Sequence, residues 1–289
     1  MTNTRSVQLV ECSRDAMQGW HTQIPTELKI NYLNALLQVG FHTIDCGSFV
    51  SHKAIPQMSD TKEVLEGITM PSTSSTKLLA IVANIRGAET AAQHSKIAIL
   101  GFPFSISPTF QLRNTNSSIL DSLDVLKNIQ TIAEFNKKQL VVYLSMGFGN
   151  PYGDHYSIDV LLDWADQMVA LGIDTISLAD TVGLATPGQI SLALNTLIPK
   201  YPTTIFGVHL HATSQNWLKK MDAAIQAGCF RFDGAINGIG GCPMAQDKLV
   251  GNMDTISMIA HLKRLELAPS IHELALADAR TIADQIFSA

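Results

Sequence analysis

The chain has 289 residues, 46% of them hydrophobic and 16% charged, with a formal net charge of −5. That is globular composition, at a length that suits one large α/β barrel or two smaller domains and can bury a sizeable core. Its 20 Lys and Arg residues are scattered and no apolar run reaches bilayer length, which excludes a general nucleic-acid binder and a membrane protein.

The cysteines Cys12, Cys46, Cys229 and Cys242 lack CxxC spacing and the density of a secreted disulfide scaffold. Reduced thiols are expected. The short polar start, Met1 to Ser6, fits neither a signal nor a transit peptide, so the expectation is a cytoplasmic protein.

In chain order, apolar runs rich in β-branched residues fall at Val7–Cys12, Thr43–Phe49, Leu78–Asn84, Ile97–Phe104, Leu140–Ser145, Thr175–Ala179, Ile205–Leu210 and Phe232–Ile236. Their continuous apolar character predicts strands buried on both faces of a parallel sheet. Helical patterns lie between them. A short helix is expected over Ala88–His94, and Val160, Leu161, Trp164, Met168 and Leu171 make a stripe that stops at Gly172. Thr186-Pro187-Gly188-Gln189 supplies an N-cap, a proline at the first helical position and a capping-box glutamine. Trp217, Met221, Ala224 and Ile225 make a further stripe ending at Gly228, and Ile271–Phe287 is expected to pack on the exterior.

Strands alternating with helices, without a linker or a composition shift, predict an α/β fold of the (β/α)8 TIM-barrel type. One domain over 1–289, with an extra C-terminal helix, is expected. A dinucleotide fingerprint is missing, because Asn237-Gly238-Ile239-Gly240-Gly241 fails the G-x-G-x-x-G spacing and is followed by Cys242-Pro243. The stretch 237–252 is expected to be a mobile catalytic loop.

In such barrels the reactive groups sit at the C-terminal ends of the strands. The first strand runs into Arg14-Asp15, the second contains Asp45 and Ser48, the third ends at Asn84 and Arg86, the sixth at Asp180, and the seventh at His209-Leu210-His211. Two residues apart on a strand, His209 and His211 point to one face and can chelate one ion. The pair alone fits equally a core histidine beside an exposed one. Barrel closure would bring Asp15 near them, and imidazole with carboxylate and amide oxygens suits Mg2+ or Mn2+ with open positions for catalysis. Arg14 can stabilise a developing enolate, and the thiol of Cys242, after two glycines in a loop, can act as a general acid. Cys12, Cys46 and Cys229 read as packing residues.

Five segments carry a resemblance: Glu11-Cys12-Ser13-Arg14-Asp15-Ala16-Met17-Gln18; Ser48-Phe49-Val50-Ser51 running on to Pro56-Gln57-Met58; Ser177-Leu178-Ala179-Asp180-Thr181-Val182-Gly183; His209-Leu210-His211; and Gly240-Gly241-Cys242-Pro243-Met244-Ala245. Together they resemble the 3-hydroxy-3-methylglutaryl-CoA lyases, metal-dependent TIM-barrel enzymes. The resemblance implies metal ligands Asp15, His209, His211 and Asn252, with Arg14 polarising a thioester carbonyl and Cys242 donating a proton to the acetyl-CoA enolate. It also implies acid–base or positioning roles for Asp45 and Asp180, and a site lined by Gln18, Ser48, Asn116 and Tyr143. The implied reaction is retro-aldol cleavage of an acyl-CoA to acetyl-CoA and acetoacetate, as in leucine degradation, by a homodimer.

Departures from the family pattern fall at Ala212 (for aspartate), Val141 (for arginine), Ala16 (for glycine), Asp45 (for glutamate) and Ile256 (for glutamate). They leave open a related aldolase or carboligase acting on a 2-oxo acid or another 3-hydroxyacyl-CoA. A catalytically silent metal-binding barrel is the alternative outside enzymes.

Overall fold

The computed structural model describes residues 6–241 and 250–288. Its strands are β1 (Gln8–Glu11), β2 (Thr43–Ser48), β3 (Lys77–Ile81), β4 (Ile97–Ser105), β5 (Gln139–Ser145), β6 (Thr175–Asp180), β7 (Ile205–Leu210) and β8 (Arg231–Gly234). Each pairs in parallel with the next, and β8 pairs back onto β1 through Gln8 with Arg231 and Val10 with Asp233. The result is a closed eight-stranded barrel, as predicted.

The helices are α1 (Ser13–Gln18), α2 (Thr26–Leu36), α3 (Thr61–Gly67), α4 (Ile85–Gln93), α5 (Pro108–Thr115), α6 (Ile119–Phe135), α7 (Ile158–Ala170), α8 (Pro187–Lys200), α9 (Trp217–Gln226), α10 (Thr255–Arg264) and α11 (Glu273–Phe287). Among the described residues, no helix is long and apolar enough to cross a membrane. The capping box read at Thr186 and Gln189 is present, with Pro187 in the first turn. Gly172 takes a left-handed conformation, φ +82°, just after α7, where a Cβ would strain the chain. The C-terminal α11 packs on α2 outside the barrel.

Some boundaries differ from expectation. Strand β3 stops at Ile81, and Asn84, expected to end it, is the N-cap of α4, its side chain accepting from Gly87 N at 2.8 Å. An asparagine that satisfies a first-turn N–H starts a helix more readily than it ends a strand. Accordingly α4 covers Ile85–Gln93 and not Ala88–His94. Strand β8 spans Arg231–Gly234 and not Phe232–Ile236, so it contains the arginine left outside the apolar run.

Alternation along each strand separates two interiors. Leu78, Ala80, Phe102, Leu144, Leu178, Phe206 and Phe232 face outward into the main core beneath the helices. Facing inward on β3 to β5, Leu79, Ile81, Ile99, Val141 and Tyr143 form a separate apolar cluster. The remaining inward positions are largely polar, with Asp45, Ser177, Arg231 and Asp233 all buried. The barrel interior thus has one apolar half and one charged half, and the charged half leads to the site.

Glu11 shows how the chain around the site is held. Its carboxyl accepts from Ile236 N at 2.9 Å and from the Thr255 hydroxyl at 2.6 Å, tying β1 to the end of β8 and the start of α10. Burial pushes this carboxyl up to about 8 from 4.5. The folded chain therefore binds the proton more tightly than the unfolded one, and stability drains away as pH rises from about 4.5 to about 8. Glu11→Gln keeps an acceptor and adds a neutral donor. Urea melts should show the variant gaining on the wild type between pH 5 and pH 8; parallel curves would contradict this assignment.

Candidate active site

At the C-terminal end of β1 the chain turns directly into α1, and the Ser13 hydroxyl donates to the Asp45 carbonyl at 3.0 Å, fixing that helix against β2. The register of β2 against β3 slips between Asp45 and Gly47, a bulge of the kind that re-aims side chains beside active sites. Arg14 and Asp45 meet there. Arg14 Nε donates to both Asp45 oxygens at 3.2 and 3.0 Å and Nη2 to Oδ2 at 2.5 Å, while Nη1 reaches Asp15 Oδ1 at 3.1 Å. A guanidinium forked between two buried carboxylates is fixed in orientation.

Asp15 is the hub of the site. Besides Arg14 it accepts from Gln18 Nε2 at 2.8 Å and from Asn252 Nδ2 at 2.7 Å. Asn252 Nδ2 also donates to the Ile239 carbonyl, but its Oδ1 is buried and has no partner among the described residues. A Cβ on Gly240 would come within 2.4 Å of Asn252 Nδ2 and 3.0 Å of Asp15 Oδ2, so only glycine lets the loop pass this close.

The two histidines complete the arrangement. Their Nε2 atoms lie 3.2 Å apart, and His211 Nδ1 lies 2.6 Å from the Val250 carbonyl. A carbonyl only accepts, so His211 carries its proton on Nδ1 and turns the Nε2 lone pair toward His209. Asp15, His209 and His211 offer ligand atoms within 4.8 Å of one another. Two imidazoles, an ionised carboxylate and an idle amide oxygen make a donor set that fits a divalent cation.

The electrostatics agree with that geometry. Burial opposes charge on Asp15, but Arg14, His209 and His211 outweigh it and hold the carboxyl below its ordinary value. Burial dominates at Asp45, raising it to about 6 despite Arg14. His209 is raised, because Asp233 and Asp15 overcome the effect of burial, whereas His211 is lowered by burial and by His209.

A cleft of about 250 Å3 opens over these groups. Arg14, Asp15, Gln18, Asp45, Tyr143, His209 and His211 line it, with Val50, Ile55, Ile81, Pro103 and Phe110 as an apolar wall. Cys12, read as packing, also lines the cleft, although burial raises its thiol far above the ordinary range and keeps it protonated.

Three expected site residues lie elsewhere. Asp180 falls on the outward face of β6, where its carboxylate meets Lys220 Nζ at 2.6 Å and Ala185 N at 3.0 Å. Ser48 is buried at the end of β2, its hydroxyl accepting from Val50 N. Asn116 ends α5 in a left-handed conformation, and Asn114 and Thr115 line the cleft in its place. Strand parity and helix capping outweigh position near the barrel's mouth in each case. Cys242 lies outside the described residues, as does half of the loop expected over 237–252.

Two features of the site went unread in the sequence. Lys220, in the apolar stripe of α9, joins Asp180 to the carbonyls of His211 (2.8 Å) and Gly183 (3.1 Å). Arg231 and Asp233 lie beneath His209, and their signal was a pair of charges at alternate positions of a buried strand.

Comparison with known proteins agrees with this architecture. A family model described as HMGL-like matches residues 6–286. The hydroxymethylglutaryl-CoA lyase of Bacillus subtilis (strain 168) is 32% identical over 258 residues, covering 89% of this chain and 85% of that one. The cytoplasmic 3-hydroxy-3-methylglutaryl-CoA lyase of Rattus norvegicus is 31% identical over 264 residues, covering 90% of this chain and 75% of its own. Among solved structures, an HMG-CoA lyase from Acinetobacter baumannii in complex with coenzyme A and 3-methylmalate superposes with a TM-score of 0.91 at 28% identity, covering 100% of this chain and 93% of that one. With the closed barrel and a family match over nearly its whole length, the chain belongs to the HMGL-like family and is a carbon–carbon lyase.

Proposed function

We propose that the chain cleaves 3-hydroxy-3-methylglutaryl-CoA to acetyl-CoA and acetoacetate, with Mg2+ or Mn2+ held by Asp15, His209, His211 and Asn252. The observation that carries this reading is the convergence of Asp15 and the two imidazoles beside an Asn252 oxygen that no other described residue engages. When bound, the cation supplies Lewis acidity toward the substrate's oxygens and favours the alkoxide form of the 3-hydroxyl.

The chain's own groups supply the rest. Asp45, in the cleft with a pKa of about 6, takes the hydroxyl proton. The alkoxide electrons form the ketone of acetoacetate as the bond between C2 and C3 breaks. Arg14, locked by Asp45 and Asp15, meets the negative charge that moves onto the thioester oxygen. The Cys242 thiol returns a proton to C2, and loop 237–252 keeps water from the enolate. Asp180 acts at one remove, through Lys220 on the His211 backbone. In this reading the chain is one catalytic domain over 1–289 and works as a cytoplasmic homodimer on leucine-derived acyl-CoA; sedimentation velocity measures the assembly.

Purified protein with Mg2+ should release acetoacetate from the substrate and lose that activity to EDTA. Cys242→Ala should lower kcat by about 10²–10⁴-fold. Folded protein that leaves the substrate intact under these conditions contradicts the reading.

A second reading is favoured by one observation. Val141 stands in the apolar cluster of the barrel interior, where the resemblance leads one to expect arginine, and Arg14 is the one cation among the described lining residues. A 3-hydroxyacyl-CoA without the free carboxylate fits such a wall. Steady-state comparison of the two substrate types decides between them.

A further inference from the structure

Arg231 and Asp233 are two apart on β8, so both side chains enter the barrel interior below the cleft. The Arg231 stem crosses over Gly207, where an added Cβ would lie 3.0 Å from its Cβ, Cγ and Cδ. Its Nη1 donates to Asp233 Oδ1 at 2.7 Å, and both side chains are buried. The other oxygen, Asp233 Oδ2, lies 3.4 Å from His209 Nδ1. Neither of those two atoms makes a hydrogen bond among the described residues, and their mutual approach is an ion-pair contact. Tyr143 meets the His209 ring edge-on at 5.9 Å and walls it in, but the ring contact gives Nδ1 no acceptor.

A carboxylate paired with Arg231 accepts, so closing the 3.4 Å gap to a hydrogen bond places the hydrogen on His209 Nδ1. The His209 lone pair is then on Nε2, facing His211 Nε2 at 3.2 Å. His211 is held in the same tautomer by the Val250 carbonyl. One histidine is set by the backbone, which no substitution removes; the other is set by a side chain. We infer that Asp233, anchored by Arg231, is a positioning residue that holds His209 as the Nδ1–H tautomer and presents its Nε2 to a divalent cation. The inference rests on the proposed function in taking His209 as a ligand.

Histidine tautomers can be read from 15N spectra of the metal-free protein, and cation affinity from Mn2+ titration by calorimetry. Recorded at a pH where His209 is neutral, the wild-type spectrum should show it protonated on Nδ1 alone. Asp233→Asn can donate to that atom, should shift the proton to Nε2, and should weaken Mn2+ binding by about 10–100-fold. Asp233→Glu, which restores an acceptor, should recover the wild-type tautomer. A wild-type His209 protonated on Nε2, or an Asp233→Asn variant that binds Mn2+ as tightly as the wild type, overturns the inference. Should Asp233→Asn fail to fold, the wild-type spectrum still decides. A wild type that binds no Mn2+ counts against the proposed function, and its His209 tautomer still decides the case of Asp233.

Discussion

Arg14→Gln is expected to lower kcat by about 10²–10³-fold, the size of effect seen when one preorganised donor to a developing oxyanion is removed. The same substitution should destabilise the fold. Among the described residues, Arg14 is the one positive group bonded to both Asp15 and Asp45, and both carboxylates are buried. Without it they face each other uncompensated, and breaking a buried pair in this way costs about 3–5 kcal/mol. Arg14→Lys separates the two effects, because it keeps the charge but cannot fork between two carboxylates. Its urea midpoint should lie between those of wild type and Arg14→Gln, while its kcat stays well below wild type. A kcat within threefold of wild type in Arg14→Gln would remove Arg14 from the chemistry.

The second large effect is expected at Lys220, which does not line the cleft but bonds the backbone of His211, which does. Lys220→Met leaves the Asp180 carboxylate buried without its cation and takes the donor from the His211 and Gly183 carbonyls. A loss of about 3–5 kcal/mol in urea unfolding is expected. Adding Asp180→Leu should cost less than the sum of the single changes, since the second removes the charge that the first left stranded. Mn2+ affinity should also fall, because the His211 backbone loses its anchor. Additive single and double variants would show that the pair does not work as a unit.

The barrel was legible in the sequence because parallel strands covered on both faces must be apolar almost throughout. Ile205–Leu210 could be read to the residue, and the capping box at Thr186 announced its helix by itself. Arg14, Asp15, His209 and His211 were legible for another reason: polar side chains at the ends of apolar strands have no other place to go than the barrel's mouth. Asp180 shared that position but not the parity. Ser177 and Ala179 take the inward face of β6, which leaves Asp180 to the helix layer, and the alternation could have shown it. Lys220 was hidden in a stripe read as uniformly apolar, although a lysine between Trp217 and Met221 requires a buried partner. Glu11 depended on partners more than 200 residues away in the chain, which only barrel closure brings together, and Asp233 on His209 of the neighbouring strand.

Retro-aldol cleavage that ends in protonation of an enolate leaves a mark on its product, which analysis in D2O reads. With Mg2+ and 3-hydroxy-3-methylglutaryl-CoA, equimolar acetoacetate and acetyl-CoA are expected, the latter carrying one deuterium in its methyl group by mass spectrometry. Intact substrate, or products other than these two, would contradict it.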